Sequence, residues 1–387
     1  SPFIPHGKSF TLKAFGNSMY PLLHDGDVVT YKKTLFTKLV ENDLVLIKQK
    51  NKFITHRIVY KTKTYVVTKG DSNPEADGKV KPVQILGKIV SVKRAGKSFD
   101  PEALYLMQST LYFQEIVRIK AALEKQNIEY VFLKGLPVHL YYEKTHPRRF
   151  YLDADILVRR ENFTALKKLL IKNGYKKANT ELSSEAWWLK NNLVPEVSFT
   201  KVVHGMRIVF DIHFEAVFLL TKLGNLNALY HSQLVKDFTD YLFITKQKVI
   251  IQGEEFNLLS KEAQLVYLCL HFFHHNFRGI FRLQFIQVVL ESKSLKWNMV
   301  RYIVNSFYLE NFVDPALKLA KSRDFGLDIF SDASRVEGGI SRFLTIYKMS
   351  PYPWYRKIFV FFEPQVILTI AWVLWKKIAI NRSLQKT

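Results

Sequence analysis

The chain has 387 residues, more than one hydrophobic core usually supports, so we expect two or three domains. Hydrophobic residues make up 48% of it and aromatic residues 14%, which is enough apolar surface for ordinary globular cores and argues against an intrinsically disordered protein. The formal net charge of +23 predicts anionic partners, although solvated surface lysines would also produce it. Nucleoside triphosphate, nucleic acid, an acidic peptide and an anionic membrane surface all fit that charge.

The single cysteine, Cys269, excludes an intramolecular disulfide framework and a cysteine-based zinc site. Its apolar neighbours predict a buried thiol. Residues 1–13 lack the charged start, the apolar run and the cleavage site of a secretory signal. We therefore expect a cytoplasmic protein.

Short segments with β-strand character follow one another from Phe10 to Val92, separated by turn signals. The predicted strands are Val28–Tyr31, Asp43–Lys48, Lys52–Tyr60, Tyr65–Lys69 and Ile85–Lys93. This pattern is typical of a small all-β domain, which we assign to residues 1–98. The segment Arg94–Pro101 contains Gly, Ser and Asp-Pro and is predicted to be a linker.

Four motifs in the first domain contain the residue types that serine peptidases use. They are Gly16–Pro21 with Ser18, Asp25–Val29, Thr55–Val59 with His56, and Thr68–Asn73 followed by Asp77. A serine hydroxyl is a poor nucleophile and needs a neighbouring base. A neutral imidazole can accept its proton near neutral pH, which makes His56 the candidate base.

The order and spacing of these motifs resemble the signal peptidase family, in its archaeal and endoplasmic-reticulum branch. The resemblance implies that Ser18 is the nucleophile, His56 the general base and Asp77 the carboxylate that orients the imidazole, with Asp71 as the alternative for the third role. It also implies an oxyanion hole of backbone amides near Ser18. Family members usually carry a membrane helix just before the nucleophile. The residues before Ser18 show no such apolar helix, so we expect a cytoplasmic peptide substrate or self-cleavage.

The second part of the chain, residues 102–258, alternates helical and strand patterns. A first helix is predicted from about Leu104 to near Asn127, and further helices at Leu136–Tyr142 and Glu161–Asn173. Strands are predicted at Ile128–Leu133, Tyr151–Val158, Val197–Val203 and Arg207–Phe214. Residues 259–387 are predicted to form an α-helical C-terminal region. The fold class is therefore multidomain α+β, with a small all-β domain, an α/β domain and helices at the end.

Asp153 and Asp155 lie two residues apart in a predicted strand. Alternate residues of a strand face the same side, so their two carboxylates can serve one site. Oxygen ligands beside a triphosphate favour Mg²⁺, or Mn²⁺, as the bound ion. The pair alone is a weak signal, because polar strand ends are common.

The motifs around Lys134-Gly135, Arg149 and the two aspartates resemble a family of uncharacterised bacterial nucleotidyltransferases with a polymerase-β-like fold. The resemblance covers roughly Leu104–Leu290 and implies that Asp211 is the third carboxylate. It further implies that three carboxylates hold metal for nucleotidyl transfer from a nucleoside triphosphate. Lys134 and Arg149 would neutralise phosphate, and Gly135 would let the backbone approach it.

Two further features have two interpretations each. His271, His274 and His275 lie on one predicted helix and could bind metal, or serve as structural or substrate-lining residues. The apolar segment Ile358–Trp375, with flanking basic and Trp residues, could contact an anionic membrane surface or dock as a helical hairpin.

The leading hypothesis is a bifunctional peptide-processing protein, a serine endopeptidase fused to a metal-dependent nucleotidyltransferase. One alternative is a nucleotidyltransferase whose N-terminal domain only binds peptide. A third is a non-enzymatic basic scaffold for a membrane surface or nucleic acid, in which neither set of catalytic residues works.

Overall fold

Eight short strands form one antiparallel sheet near the N-terminus of this computed structural model. The structure describes residues 7–49, 52–178, 196–216, 227–292, 294–322, 327–330, 339–363 and 367. The strands are β1 (Ser9–Lys13), β2 (Val28–Lys32), β3 (Leu44–Gln49), β4 (Lys52–Lys61), β5 (Val66–Lys69), β6 (Ala76–Val80), β7 (Ile85–Arg94) and β8 (Lys97–Phe99). They pair in the order β1-β2-β7-β3-β4-β5-β6, with β8 on β7. The predicted all-β character of this region is confirmed.

The segment Arg94–Pro101, predicted to be a linker, is instead a tight hairpin followed at once by a helix. Ala95 and Gly96 have φ angles of 47° and 81°, which turn β8 back onto β7. Asp100 then caps α1 (Pro101–Lys125) through its side chain. The turn-forming residues of this segment therefore form the turn of a hairpin and the beginning of a helix.

A seven-stranded mixed sheet forms the centre of the second part of the chain. Its strands are β9 (Tyr130–Lys134), β10 (Ala154–Val158), β11 (Lys176–Lys177), β12 (Glu196–Val203), β13 (Met206–His213), β14 (Gln247–Ile251) and β15 (Glu254–Leu258). They pair in the order β11-β12-β13-β10-β9-β15-β14. Strand β10 is buried at all five positions, parallel to β13 and antiparallel to β9. It is therefore the central strand of this sheet.

Helices surround the second sheet and continue towards the C-terminus. They are α2 (Leu136–Glu143), α3 (Phe163–Lys172), α4 (Ser232–Ile244), α5 (Lys261–His274), α6 (Ile280–Leu290), α7 (Trp297–Ser306), α8 (Glu310–Lys321), α9 (Gly339–Met349) and α10 (Trp354–Lys357). Helix α5 contacts β9 as well as α6, α7 and α8. One hydrophobic core joins the sheet to these helices, so the mixed α/β and helical regions pack together.

The N-terminal sheet packs against the rest of the protein through apolar and polar contacts. Val59 of β4 belongs to the main hydrophobic core. The guanidinium of the buried Arg57 bonds to the Tyr105 hydroxyl of α1 and, at 3.2 Å, to the Arg148 carbonyl. Arg148 in turn donates to Asp43 at 3.1 Å. The two parts of the chain therefore share a buried, hydrogen-bonded interface.

The C-terminal segment Ile358–Trp375 lies largely outside the described residues. Its beginning, Ile358–Phe362, forms a short 3₁₀ helix in which Val360 is buried in the main core. Among the residues that the structure describes, no helix combines the length and the apolar character that crossing a bilayer requires.

Two candidate active sites

Ser18, His56 and Asp77 form a continuous hydrogen-bonded chain in the N-terminal domain. Ser18 Oγ lies 3.0 Å from His56 Nε2, and His56 Nδ1 lies 2.6 Å from Asp77 Oδ2. When Nδ1 donates to the carboxylate, Nε2 is free to accept the proton of the serine. Thr68 donates a further hydrogen bond to Asp77 Oδ2 at 2.7 Å, which holds the carboxylate towards the imidazole.

Neighbouring strands place these side chains side by side. His56 lies on β4, Thr68 on β5 and Asp77 on β6, and these strands pair in that order. Ser18 comes from the loop between β1 and β2 and is half-buried, whereas His56 is buried. The sheet thus fixes the imidazole and the carboxylate, and the loop brings the hydroxyl to them.

Gly70 packs directly against the nucleophile and the base. A Cβ atom at this position would lie 2.7 Å from the Ser18 carbonyl oxygen and 2.9 Å from His56 Nε2. Those distances are shorter than any van der Waals contact allows, so only glycine fits there. Ser72 also donates its backbone N–H to the Ser18 carbonyl at 2.9 Å, which fixes the loop.

Asp71 points to a different partner. Its carboxylate accepts from Arg57 Nε at 2.7 Å and from the terminal guanidinium nitrogen at 2.5 Å. This paired geometry uses both carboxylate oxygens for the arginine of the domain interface. Of the two aspartates considered for the third role, Asp77 is therefore the one that contacts His56.

A row of polar residues crosses four adjacent strands of the second sheet. The register places Ser198 opposite Asp211, Asp211 opposite Asp155 and Asp155 opposite Lys134. Asp153 immediately precedes β10. One carboxylate oxygen from each of the three aspartates lies within 4.8 Å of the others. The sheet therefore brings together the three carboxylates that the sequence singled out.

Lys134 and His213 occupy both oxygens of the most buried aspartate. Lys134 Nζ lies 2.6 Å from Asp155 Oδ2, and His213 Nε2 lies 2.9 Å from Asp155 Oδ1. Burial by itself would raise the pKa of Asp155, but attraction from Lys134 and the His213 hydrogen bond lower it below its usual value. This aspartate is held as a carboxylate.

The pKa of Asp211 is shifted in the opposite direction from that of Asp155. Burial, followed by repulsion from Asp155, raises the pKa of Asp211 to about 6. Partial burial also raises the pKa of Asp153. Asp211 Oδ1 is buried without a hydrogen-bond partner among the described residues, although Ser198 bonds to the carboxylate. An oxygen in this position is costly to bury unless a cation or a proton satisfies it.

The donor set fits a hard divalent cation. Three carboxylates converge, the buried Asp211 Oδ1 lacks a partner, and the side chain of Asp153 is 39% exposed and thus accessible. Oxygen-only ligands are those that Mg²⁺ and Mn²⁺ prefer.

The residues predicted to bind phosphate lie beside this acidic cluster. Gly135 has a φ of 91° and precedes α2, and a Cβ there would lie 3.3 Å from the Asp153 carbonyl. Arg149 stacks on the rings of Tyr151 and Phe281 and lines the same cavity as Lys134 and Asp153. Lys134 itself bonds to Asp155. Burial alone would lower the pKa of Lys134, but attraction from Asp153 and Asp155 is stronger and raises it.

Some functional residues were not identified from the sequence. Thr68 contacts Asp77, and Ser198 lies opposite Asp211. His213, two residues after Asp211 on β13, hydrogen-bonds to Asp155. Strand alternation could have placed His213 on the same face as Asp211, whereas Thr68 and Ser198 required knowledge of the strand pairing.

The three histidines at the C-terminal end of α5, including His275 just after it, pack against aromatic rings and one another. His271 stacks on Tyr267 and contacts His275 with ring centroids 4.7 Å apart. Burial lowers the pKa of His271 well below its usual value, so it is neutral. Within the described part of the chain, the three-residue group with metal-binding geometry is the aspartate cluster, which does not include these histidines. Cys269 on the same helix is buried, as predicted.

The comparison with protein families decides the classification. A model described as "Uncharacterised nucleotidyltransferase" matches residues 102–323, more than half of the chain. The chain belongs to this nucleotidyltransferase family. The matched region runs from the start of α1 past the end of α8 and includes all three aspartates. A second model, described as "Peptidase S24-like", matches residues 1–90 of this nucleotidyltransferase-family protein.

Two solved structures match the chain at low similarity. The antibiotic-resistance factor ANT(2'')-Ia is 13% identical, with 55% of this chain and 96% of that chain covered and a TM-score of 0.34. An antigenic nucleotidyltransferase-like protein from Paracoccidioides brasiliensis is 14% identical, with 56% and 92% covered and a TM-score of 0.30. No curated protein matches the chain.

Proposed function

We propose that this member of the nucleotidyltransferase family is bifunctional, with a serine endopeptidase in its N-terminal domain and a Mg²⁺- or Mn²⁺-dependent nucleotidyltransferase in the remainder. The observation that carries the peptidase half is the hydrogen-bonded chain Ser18–His56–Asp77. Family membership and the convergence of the three aspartates support the second half.

In the peptidase half, Ser18 Oγ attacks the carbonyl carbon of the scissile peptide bond while His56 Nε2 takes the hydroxyl proton. Asp77 stabilises the imidazolium that forms. His56 then gives the proton to the leaving amine, which leaves an acyl-enzyme on Ser18. Water, activated by the same imidazole, hydrolyses this ester and releases the peptide carboxylate. Backbone amides beside Ser18 supply the oxyanion hole in this proposal.

Covalent labelling with a fluorophosphonate tests the peptidase half. The probe reacts with an activated serine, so intact-mass measurement should find one adduct, mapped to Ser18, and none in Ser18→Ala. Ser98→Ala removes an exposed serine of the same domain and should label normally. If folded wild-type protein does not label at Ser18, the peptidase proposal fails and the domain is better explained as a peptide-binding module.

In the nucleotidyltransferase half, Asp153, Asp155 and Asp211 would hold the divalent ion, and Lys134 with Arg149 would bind the phosphates of a nucleoside triphosphate. The ion, when bound, would neutralise charge on the triphosphate and on its leaving group. His213 and Lys134 fix the orientation of the Asp155 carboxylate through their hydrogen bonds. Gly135 allows the backbone at the start of α2 to approach the phosphates.

Calorimetric titration with Mn²⁺ tests the metal site. Asp211→Asn keeps the shape of the side chain but removes its charge, and should weaken Mn²⁺ binding by about tenfold or more. The matched control Asp237→Asn changes an exposed aspartate of α4 and should bind as wild type does. Equal affinity in wild type and Asp211→Asn would exclude Asp211 as a ligand.

A further inference from the structure

A cavity of about 510 Å³ adjoins both the serine site and the acidic site. It lies where the N-terminal sheet meets the nucleotidyltransferase part. Residues of both contribute to its wall, namely Tyr20, Gly70 and Asp71 on one side and Lys134, Gly135 and Asp153 on the other. Its volume falls in the range of ordinary ligand-binding sites.

One end of this cavity is lined by residues that adjoin the nucleophile and its base. Gly70 lines the cavity and is the residue packed against both the Ser18 backbone and the His56 imidazole. Tyr20, two residues after the nucleophile, is 55% exposed and lines the same space. A peptide bound at Ser18 that runs past Tyr20 and Gly70 would enter this cavity.

The other end reaches the acidic cluster through its exposed member. The side chain of Asp153 is 39% exposed, whereas that of Asp155 is 2% exposed. Lys134 lies between them, 3.7 Å from Asp153 and 2.6 Å from Asp155. An ion or phosphate at the aspartates would thus face the cavity on the side of Asp153.

The wall between the two ends suits an anionic occupant. The described residues lining the cavity include five Lys or Arg side chains and two aspartates. Arg149 lies against the rings of Tyr151 and Phe281, with its guanidinium carbon 5.0 Å and 5.1 Å from their centroids. Leu152, which is 71% exposed, adds apolar surface. Basic groups over aromatic and aliphatic walls fit both a triphosphate and a peptide carboxylate.

From this shared cavity we propose that the peptide cleaved at Ser18 is itself the nucleotidyl acceptor. The inference rests on the proposed function and names the acceptor substrate of its second half. Hydrolysis of the acyl-enzyme leaves a peptide carboxylate in the cavity. A carboxylate oxygen attacks the α-phosphorus of the nucleoside triphosphate, and the bond from that phosphorus to the oxygen bridging to the β-phosphate breaks. Pyrophosphate leaves, and a peptide–nucleotide acyl phosphate forms without transfer of a proton.

The test attaches an acceptor to Ser18 itself. Wild-type protein is labelled with fluorophosphonates whose flexible tails end in a carboxylate, in a series of increasing length, and is then incubated with Mg²⁺ and the four nucleoside triphosphates. We expect the intact mass of the labelled chain to increase by one nucleotidyl group at a suitable tail length. Hydroxylamine, which cleaves acyl phosphates, should reverse the gain. Matched tails that end in a carboxamide should give no gain.

A second readout measures access to the cavity. Inorganic tripolyphosphate with Mg²⁺ is titrated into the unlabelled protein, into protein labelled with a small fluorophosphonate and into protein labelled with a bulky one. The bulky label should weaken tripolyphosphate binding by about tenfold, and the small label should leave it unchanged. Leu152→Trp, which adds bulk to the cavity wall, should slow labelling by the bulky probe, whereas Val83→Trp on an exposed surface should not.

The outcomes separate the inference from the proposed function. Failure of Ser18 to label at all overturns the peptidase half. The shared-cavity proposal alone is overturned by a different result. In that case Ser18 labels normally and the unlabelled protein binds tripolyphosphate, but no tail length gives a nucleotidyl gain and the bulky label does not weaken tripolyphosphate binding. Nucleotidyl gain on the carboxylate tail, or competition by the bulky label without effect of the small one, supports it.

Discussion

At the scale of single residues, Gly70 is the position where the least change should have the largest effect on the serine site. The Cβ of Gly70→Ala would overlap the Ser18 carbonyl and His56 Nε2, so the loop must move away from the base. We predict that this variant stays folded but reacts with a fluorophosphonate about 100-fold more slowly, since small displacements of catalytic groups cost that much.

The matched control is Gly96→Ala in the turn between β7 and β8. Gly96, unlike Gly70, has a positive φ, so alanine there is strained by about 1 kcal/mol, but its Cβ would touch nothing within 4 Å. This variant should lose thermal stability while its labelling rate stays normal. Equal labelling of Gly70→Ala and wild type would show that Gly70 does not shape the site.

His139 gives a prediction about pH. It is buried on α2, and burial, with repulsion from Arg149 and His146, lowers its pKa to about 3. In the unfolded chain a histidine titrates near pH 6.5, so below that pH the unfolded state binds a proton that the folded state does not. Folding therefore loses stability as the pH falls from about 6.5 towards 3. The expected cost of His139 between pH 7 and pH 5 is about 2 kcal/mol.

Urea unfolding at pH 7 and pH 5 measures this effect. His139→Gln cannot be protonated, so its stability should fall by about 2 kcal/mol less than that of wild type over this interval. His204→Gln, in an exposed turn, should behave as wild type. The same pH dependence in wild type and His139→Gln would refute the assignment of a neutral buried imidazole.

At the scale of elements, the contact between the N-terminal sheet and α1 depends on Arg57. Its guanidinium joins Asp71 to the hydroxyl of Tyr105 and to a carbonyl near β10. Removing one partner of a buried ion pair costs about 3–5 kcal/mol, because the other charge remains buried. We predict that Arg57→Met loosens this interface, which should appear as faster amide hydrogen exchange at the start of α1 around Tyr105.

Arg94→Met is the control for the interface prediction. Arg94 makes an equivalent paired contact with Asp27, at 2.9 Å and 2.7 Å, within the N-terminal domain. Its loss should destabilise that domain and leave exchange at the start of α1 unchanged. If both variants accelerate exchange there to the same extent, Arg57 has no particular role at the interface.

Most elements of the fold were predictable from local patterns. The strands around His56 and the helix at Leu136 were predicted within a residue or two, because β-branched alternation and capping glycines are strong signals. Elements without such signals were missed, among them β6, which contains Asp77, and helix α4. The segment at Arg94–Pro101 was wrongly predicted as a linker, since turn residues mark hairpins and linkers alike.

The candidate sites depended on contacts that sequence order does not contain. The motifs named Ser18, His56 and Asp77, but the choice between Asp77 and Asp71 required the position of Arg57. Tertiary packing places the Asp77 carboxylate beside His56 and the Asp71 carboxylate beside Arg57. The pairing of Lys134 with Asp155 likewise follows from strand register.

At the scale of the whole molecule, two candidate sites of different chemistry border one cavity at an interface between two parts of the chain. When both sites open onto one cavity, the cleaved peptide meets the bound nucleotide within the same molecule. This raises the effective concentration of the peptide at the second site without new contacts. A peptide released at the serine site would meet the nucleotide before diffusing away. The arrangement therefore gives a physical reason for joining a peptidase-like domain to a nucleotidyltransferase.

The most direct test of the account is mass spectrometry of one peptide mixture treated with four proteins: wild type, Ser18→Ala, Asp211→Asn and the double variant, each with Mg²⁺ and the four nucleoside triphosphates. The account predicts cleaved peptides with an added nucleotidyl group for wild type, cleaved but unmodified peptides for Asp211→Asn, and intact peptides for both variants that lack Ser18. Cleavage that survives Ser18→Ala, or nucleotidyl transfer that survives Asp211→Asn, would contradict it, as would wild-type protein that leaves both peptides and nucleotides unchanged.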